Sequence, residues 1–224
     1  MFKLARLKNK KLTIFSKPVL RYIEYSFDPL MFKEVLMGQS KKTRSIVITA
    51  FFAAVVFLGI QSFRIPMPAA VGTPFLHFGH IFVMLAVLCL GPKRSAAAGV
   101  LGLVIFDLLN GYIHAIPNVL VSTIIKTLAI GALFLLLKKQ ANGDQKKEYV
   151  YAVICAALYG ILNILLDFVW NTVELVIAGS NLQAALTAEL TSIPATMVNA
   201  AFTVIGIAVL YAPVKEAYRR AIKE

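Results

Sequence analysis

Residues 77–126 read HFGHIFVMLAVLCLGPKRSAAAGVLGLVIFDLLNGYIHAIPNVLVSTIIK. Two apolar spans are joined here by a tight basic turn, Gly91-Pro92-Lys93-Arg94, and a third span begins before the stretch ends at Lys126. Polar groups occur at defined depths: His77 and His80 at one edge, Asp107 and Asn110 at the same edge, Lys126 deeper. Ionisable groups inside hydrocarbon are costly to hold there, and in membrane proteins they are usually the working parts.

The rest of the chain agrees with a membrane reading. Of 224 residues, 59% are hydrophobic and only 15% charged, against roughly a quarter charged in a soluble domain. The apolar residues also come in long blocks. Cys89 and Cys155 both fall inside such blocks, so they read as small hydrophobes in helix packing rather than as a disulfide. A net charge of +12 would suit a nucleic-acid binder if it were spread over one face. Instead, 11 of the 23 Lys and Arg precede Ile46, and most others fall in two short loops and the C-terminal tail. That is a topology signal, and no nucleic-acid partner is expected.

The pattern predicts an all-α, polytopic membrane protein of six helices. The spans run over about 46–63, 78–90, 95–109, 118–137, 149–178 and 186–211. The second is short enough to tilt or to borrow from the preceding loop. The fifth exceeds the roughly 20 residues a bilayer needs, so its outer end should project or tilt. Basic residues before the first span, in the Lys93-Arg94 turn, at Lys138, Lys139, Lys146 and Lys147, and at Lys215, Arg219, Arg220 and Lys223 fall on one side. The opposite loops, 64–77, 110–117 and 179–186, carry only Arg64. The positive-inside rule then places both termini in the cytoplasm.

Domain organisation follows: a basic N-terminal extension over 1–44, a membrane domain over 45–212 and a basic cytoplasmic tail over 213–224. Within the extension, 19–35 suits an interfacial helix with Leu20, Ile23, Phe27, Leu30 and Met31 toward lipid; a cytoplasmic extension is the alternative. No cleavable signal peptide is evident, because lysines and Arg21 interrupt every apolar run. The two halves share no motif, so an inverted repeat is not indicated.

Catalysis finds no support: HExxH, GxSxG and a phosphate-binding Gly-rich loop are all missing from the sequence. His77 and His80 would need further ligands to hold a metal; His114 could complete a three-histidine site on paper, but interfacial histidines capping helix ends are the ordinary explanation, and no metal or cofactor is expected. The fifth span is more informative. Asn163, Asp167, Trp170, Asn171 and Glu174 share one helical face, opposite Leu165, Phe168, Val169 and Val176. This stripe reads as the wall of an outward-facing pocket, with interhelical bonding as the structural alternative. Asp107 and Asn110 close the outer end of the third span, and Glu189, Thr191, Thr196 and Asn199 descend in the sixth. Lys126 lies about nine residues into the fourth, roughly 13 Å deep at 1.5 Å per residue. There it must be paired, neutral or solvated, with Asp107 or Asp167 as partner. Loop 64–77, with three prolines and a glycine, has the make-up of a lid, or of a passive connector. Ala50 and Ala54, one turn apart, allow another helix to approach closely.

In this ordered set the chain resembles the substrate-binding S components of energy-coupling factor (ECF) vitamin transporters. The resemblance covers about 45–212. It rests on six spans with both ends inside, the alanine pattern Ala50/Ala54, the run HFGHIFVMLAVLCLGPKRSAAAGVLG followed by FDLLNGY, and a proline-led span ending in IIK. It implies a multi-pass protein of a prokaryotic cell membrane that is not itself an enzyme. Such a subunit captures a small water-soluble vitamin from outside, with loop 64–77 as a lid. It then delivers its ligand with a transmembrane scaffold subunit and two ATPases, and Ala50 and Ala54 inherit the scaffold contact.

For the ligand, the residues expected to bind are His77, His80, Asp107, Asn110, Lys126, Asn163, Asp167, Trp170, Asn171, Glu174 and Asn199. Their charge balance disfavours a dianion such as folate, and a lone tryptophan departs from the tryptophan-rich thiamine-binding members. A neutral or weakly basic heteroaromatic fits better: pyridoxine-like or hydroxymethylpyrimidine-like ligands first, riboflavin next. The competing reading is a self-sufficient proton-coupled secondary transporter, with Asp107, Asp167 and Lys126 as a relay; a purely structural membrane partner is a third.

Overall fold

A computed structural model describes residues 41–70 and 74–222. The helix expected over 19–35 lies outside the described residues. The elements are α1 (Lys41–Gln61), β1 (Ile65–Pro66), β2 (Phe75–Leu76), α2 (Gly79–Leu90), α3 (Pro92–Asn110), a 3-10 turn (Ile113–Ala115), α4 (Ile116–Ala141), α5 (Gln145–Ile177), α6 (Leu182–Leu190) and α7 (Ile193–Ile222). Among the described residues, four helices are long and apolar enough to cross a membrane: Lys42–Gln61, Ile113–Ala141, Gln145–Ile177 and Ile193–Ile222. Helix α3 has the length, but Lys93 and Arg94 fill its first turn and Asp107 its last.

Helix boundaries follow local chemistry. Gly111, at φ 80°, takes the left-handed conformation that ends α3, which glycine adopts without a Cβ clash. The Asp144 side chain caps α5, accepting from the backbone N–H groups of Lys146 at 2.9 Å and Lys147 at 3.2 Å. Where the sequence suggests one span over 186–211, the structure has two helices. The turn at Thr191 and Ser192 closes α6, with their N–H groups donating to Ala188 and Glu189 carbonyls. Pro194 then opens α7 in a first turn, where its missing N–H leaves no bond unmade.

Helix α2 organises the bundle. Apart from His80 it is apolar on every side, and Val83, Met84 and Ala86 are wholly buried, as expected for a central helix. Around it pack α1, α3, α4 and α7, with α5 joining α4 to α7. Small residues let the backbones meet: a Cβ on Gly102 of α3 would lie 2.6 Å from the Ala53 carbonyl oxygen of α1. At 12 residues, α2 rises only about 18 Å, well short of a bilayer core of about 30 Å. Its first residue therefore starts deep between longer neighbours, and the chain before it must fill the recess.

The basic segments gather at one end. Arg44 donates to the Ala221 carbonyl, Arg94 to Ser45 Oγ at 3.1 Å, and Glu148 takes Lys138 at 3.2 Å and Lys215 at 2.8 Å. At the opposite end Asn110 donates to Gln61 at 3.0 Å, joining the outgoing ends of α1 and α3.

Candidate functional site

The segment between α1 and α2, described over 62–70 and 74–78, lies above α2, with 74–78 partly buried. Its two short strands pair antiparallel, Ile65 opposite Leu76 and Pro66 opposite Phe75. Only two residues of each strand pair, so the hairpin needs anchors elsewhere. Asn199 of α7 supplies one. Its Oδ1 accepts from the His77 N–H at 3.0 Å, and its Nδ2 donates to the Phe75 carbonyl at 3.0 Å. Residues 75 and 77 point the same backbone edge outward, and a side-chain amide carries one donor and one acceptor in matching positions. A second anchor runs from the Ala70 N–H to Thr191 Oγ1 at 2.8 Å, in the turn between α6 and α7.

Beneath this cover lies a row of polar side chains. Lys126 of α4 donates its amine to Asn163 Oδ1 of α5. Asn163 in turn donates to Asp167 Oδ2 at 2.7 Å, one helical turn on. Asp167 also interacts with Asn118, which donates to Asn171 Oδ1 at 3.4 Å. Asn171 donates to Glu189 Oε1 of α6 at 3.0 Å. Lys126 is 2% exposed and Asn163 4% exposed, so this amine and amide must satisfy each other within the protein. Along α5 the row runs from Asn163 to Asn171, about 12 Å at 1.5 Å per residue.

Aromatic rings line its deep end. The Lys126 amine stands 5.6 Å from the Tyr159 ring centre, an arrangement favourable for a cation. The Tyr159 hydroxyl lies 3.4 Å from His80 Nδ1, and the His77 and His80 rings are 4.7 Å apart. Phe75 packs between His77, Phe106 and Tyr112 at 5.4–5.9 Å. Burial, and secondarily the nearby Lys126, lower the His77 imidazole from its usual range to about 4.

The structure thus brings together His77, His80, Lys126, Asn163, Asp167, Asn171 and Asn199. Of the two aspartates expected to compensate Lys126, Asp167 is the one whose charge acts on it, through Asn163. Asp107 stands apart on α3, buried, with Oδ2 lacking a hydrogen-bond partner among the described residues. Asn110 also stands apart, on Gln61 and the Phe106 carbonyl. Trp170 is half-buried on the α5 stripe, while Glu174 is exposed at its end. Ala50 and Ala54 are both exposed on the outer face of α1; it is Ala53 between them that faces Gly102. Exposed His114 packs on Tyr112 instead of joining the other histidines, and no metal-holding group of His, Cys, Asp or Glu occurs among the described residues.

Two contributors escape a reading by residue type: Tyr159 looks like an ordinary core aromatic, and Asn118 like a helix-start residue. Glu189, read as descending in the sixth span, reaches the row from α6 because the chain turns at Thr191. A surface hollow of about 530 Å³ lies beside the site, between Ala70 and α6. It is open and lined mostly by alanine, threonine and amide side chains, whereas Lys126, Asn163 and Glu189 of the charged row are buried.

Comparison with known proteins gives a consistent family. The family model of the ECF-type riboflavin transporter, S component, matches residues 40–216. A solved structure of ThiT from Listeria monocytogenes superposes with a TM-score of 0.58 at 17% sequence identity, covering 80% of this chain and 99% of that one; the likeness is one of fold. No curated protein sequence matches. With the family model spanning nearly all of the described helices, the chain belongs to the ECF-type riboflavin transporter S component family.

Proposed function

We propose that this S component captures riboflavin, or a close flavin-like vitamin, in the recess above α2, and that the 64–78 segment acts as its lid. The observation that carries the reading is the row from Lys126 to Glu189. A single pyridine or pyrimidine ring would use only part of it. A fused, uncharged ring with an imide edge and a polyhydroxyl chain uses all of it: amide side chains exchange donors and acceptors with the ring, and carboxylates accept from the hydroxyls. The family match supports the same ligand, which moves riboflavin ahead of the pyridoxine-like and hydroxymethylpyrimidine-like ligands favoured by the charge balance alone. Tyr159, His80 and His77 offer stacking and edge contacts at the deep end.

Around this site the six-span, both-ends-cytoplasmic arrangement gives the recess an outward opening. Support comes from the clustering of Arg44, Arg94, Lys138 and Lys215 at the opposite end. Ala50 and Ala54, exposed on α1, are the surface offered to a transmembrane scaffold subunit, and through it to two ATPases. Ligand release then depends on that assembly, because this chain carries no nucleotide motif.

The test is a titration of the detergent-purified protein, washed free of ligand, with riboflavin, pyridoxine, hydroxymethylpyrimidine and folate. Flavin fluorescence and Trp170 emission provide the signals. Saturable quenching by riboflavin at nanomolar to micromolar concentration, lost in Asn163→Leu, is expected. Saturation by a single-ring vitamin with no response to riboflavin would overturn the ligand assignment while leaving the family intact.

A further inference from the structure

At the basic end, away from the polar row, the first turns of α5 and the last turns of α7 leave a groove of about 390 Å³. It is lined by Tyr149, Val150, the buried Tyr211 and Ala212, and its rim carries the cations Lys146, Lys215 and Arg219. Among the described residues Glu216 is the one acidic residue on the rim, and it is already engaged by Arg220 at 3.0 Å and more loosely by Arg219 at 3.9 Å. Lys215 is turned inward onto Glu148. Lys146 is exposed, and its backbone N–H is the group that Asp144 takes. Cations therefore outnumber carboxylates on this rim, and Lys146 and Arg219 are placed to reach an anion.

The groove does not end at the rim. The Tyr149 hydroxyl bonds the Ala208 carbonyl at 2.8 Å, holding α5 against α7. Beyond it the same faces continue as exposed aliphatic residues: Ile154 at 45% on α5, and Val209 at 66% and Ile205 at 60% on α7. A cationic rim over a tyrosine, leading into an aliphatic channel between two membrane-crossing helices, matches an amphiphile with an anionic head and hydrocarbon tails.

We propose that this groove binds one anionic phospholipid, its phosphate between Lys146 and Arg219 and an acyl chain along Val150, Ile154 and Val209. A soluble phosphate would find the same cations but would leave the aliphatic channel unused. The lipid would brace the α5–α7 contact at the end opposite the vitamin site.

Native mass spectrometry of the full chain, with phosphatidylglycerol and phosphatidylcholine of identical acyl chains added in detergent, tests this. The expected result is about tenfold preferential retention of one phosphatidylglycerol. The double variant Lys146→Gln, Arg219→Gln, which leaves the Glu148 cluster whole, should reduce that preference to within about twofold. The control pair Lys93→Gln, Lys139→Gln should leave it unchanged. Equal retention of the two lipids by the unaltered protein, equal loss in the control pair, or displacement by millimolar glycerol 3-phosphate would each overturn the proposal, the last by revealing a free-anion site.

Discussion

Lys126 donates its amine to the side-chain carbonyl of Asn163, from one helix to the next, at a depth where both are almost completely buried. The carboxylate that balances the amine, Asp167, is reached through that amide, not by direct contact. Removing the lysine alone strands Asn163 Oδ1 and leaves Asp167 without its cation. Lys126→Met should therefore destabilise the protein by about 2–4 kcal/mol and abolish tight ligand binding. Adding Asp167→Asn should restore a good part of the melting temperature, because the uncompensated charge goes. Thermal unfolding of both variants in detergent decides it; a double variant no more stable than the single one would rule out the coupling.

Asn199 holds the hairpin by two hydrogen bonds and Thr191 by one. Each is worth about 0.5–1.5 kcal/mol net, so losing the Asn199 pair is equivalent to roughly a tenfold or larger change in the closed population. In Asn199→Ala, vitamin dissociation should accelerate by about that factor while association changes little. Thr191→Val should show a smaller effect in the same direction. Stopped-flow displacement measures both, and an unaltered off-rate in Asn199→Ala would mean that the segment is not a lid.

Much of this was legible in the sequence, and the illegible part has physical causes. The polar stripe on α5 obeys helical periodicity, so Asn163, Asp167 and Asn171 were readable as one face. The alternating basic loops were readable because charge asymmetry is local in sequence. The partner of Lys126 was not decidable, because Asp107 and Asp167 lie at compatible depths and only helix packing separates them. Tyr159 was hidden because an aromatic residue in an apolar helix has no signature beyond core packing. The break at Thr191-Ser192 was hidden too: Pro194 is as compatible with a kink inside one helix as with the start of another. That break is what turns Glu189 toward Asn171.

The α1–α3 crossing is set by Gly102, where an added Cβ would fall 2.6 Å from the Ala53 carbonyl oxygen and 2.8 Å from the Val56 Cβ. Backbone on one side and a branched core residue on the other leave no flexible atom to move aside. Gly102→Val should cost about 1–3 kcal/mol by forcing the helices apart. It should also displace Gln61 from Asn110, since both ride on the same helix pair. Thermal unfolding and loss of the monodisperse species in size exclusion are the measurements. A melting temperature within a degree of the unaltered protein would refute the close contact.

His77 provides a pH dependence whose sign is fixed by its lowered value. Above about pH 6.5 the imidazole is neutral in both folded and unfolded chains, so it leaves stability unchanged. Below that, the unfolded chain takes up a proton that the folded one resists until about pH 4. Stability from this group is therefore full at neutral pH and declines progressively between about 6.5 and 4. His77→Gln should flatten that part of the profile relative to the unaltered protein. Parallel profiles for the two proteins across this window would exclude His77 as the source.

Glu148 anchors the end of the bundle remote from the proposed vitamin site, so its loss should separate stability from binding. Its carboxylate takes Lys138 at 3.2 Å, Lys215 at 2.8 Å and the Tyr211 hydroxyl at 2.7 Å, tying α4, α5 and α7 together. The carboxylate is only 6% exposed while Lys138 is 47% exposed, so the lysine side of the pair is partly screened by solvent. Glu148→Gln keeps the volume and one acceptor for Tyr211 but leaves both cations without a counter-charge. A loss of about 1–3 kcal/mol follows, read as a lower melting temperature, with riboflavin affinity within about twofold of the unaltered protein at temperatures below the transition. Adding Lys138→Gln should recover part of the loss. If instead Glu148→Gln weakened riboflavin binding as strongly as Asn163→Leu, the two ends would be energetically coupled across the membrane, and the basic end would have to be counted as part of the vitamin site's own machinery.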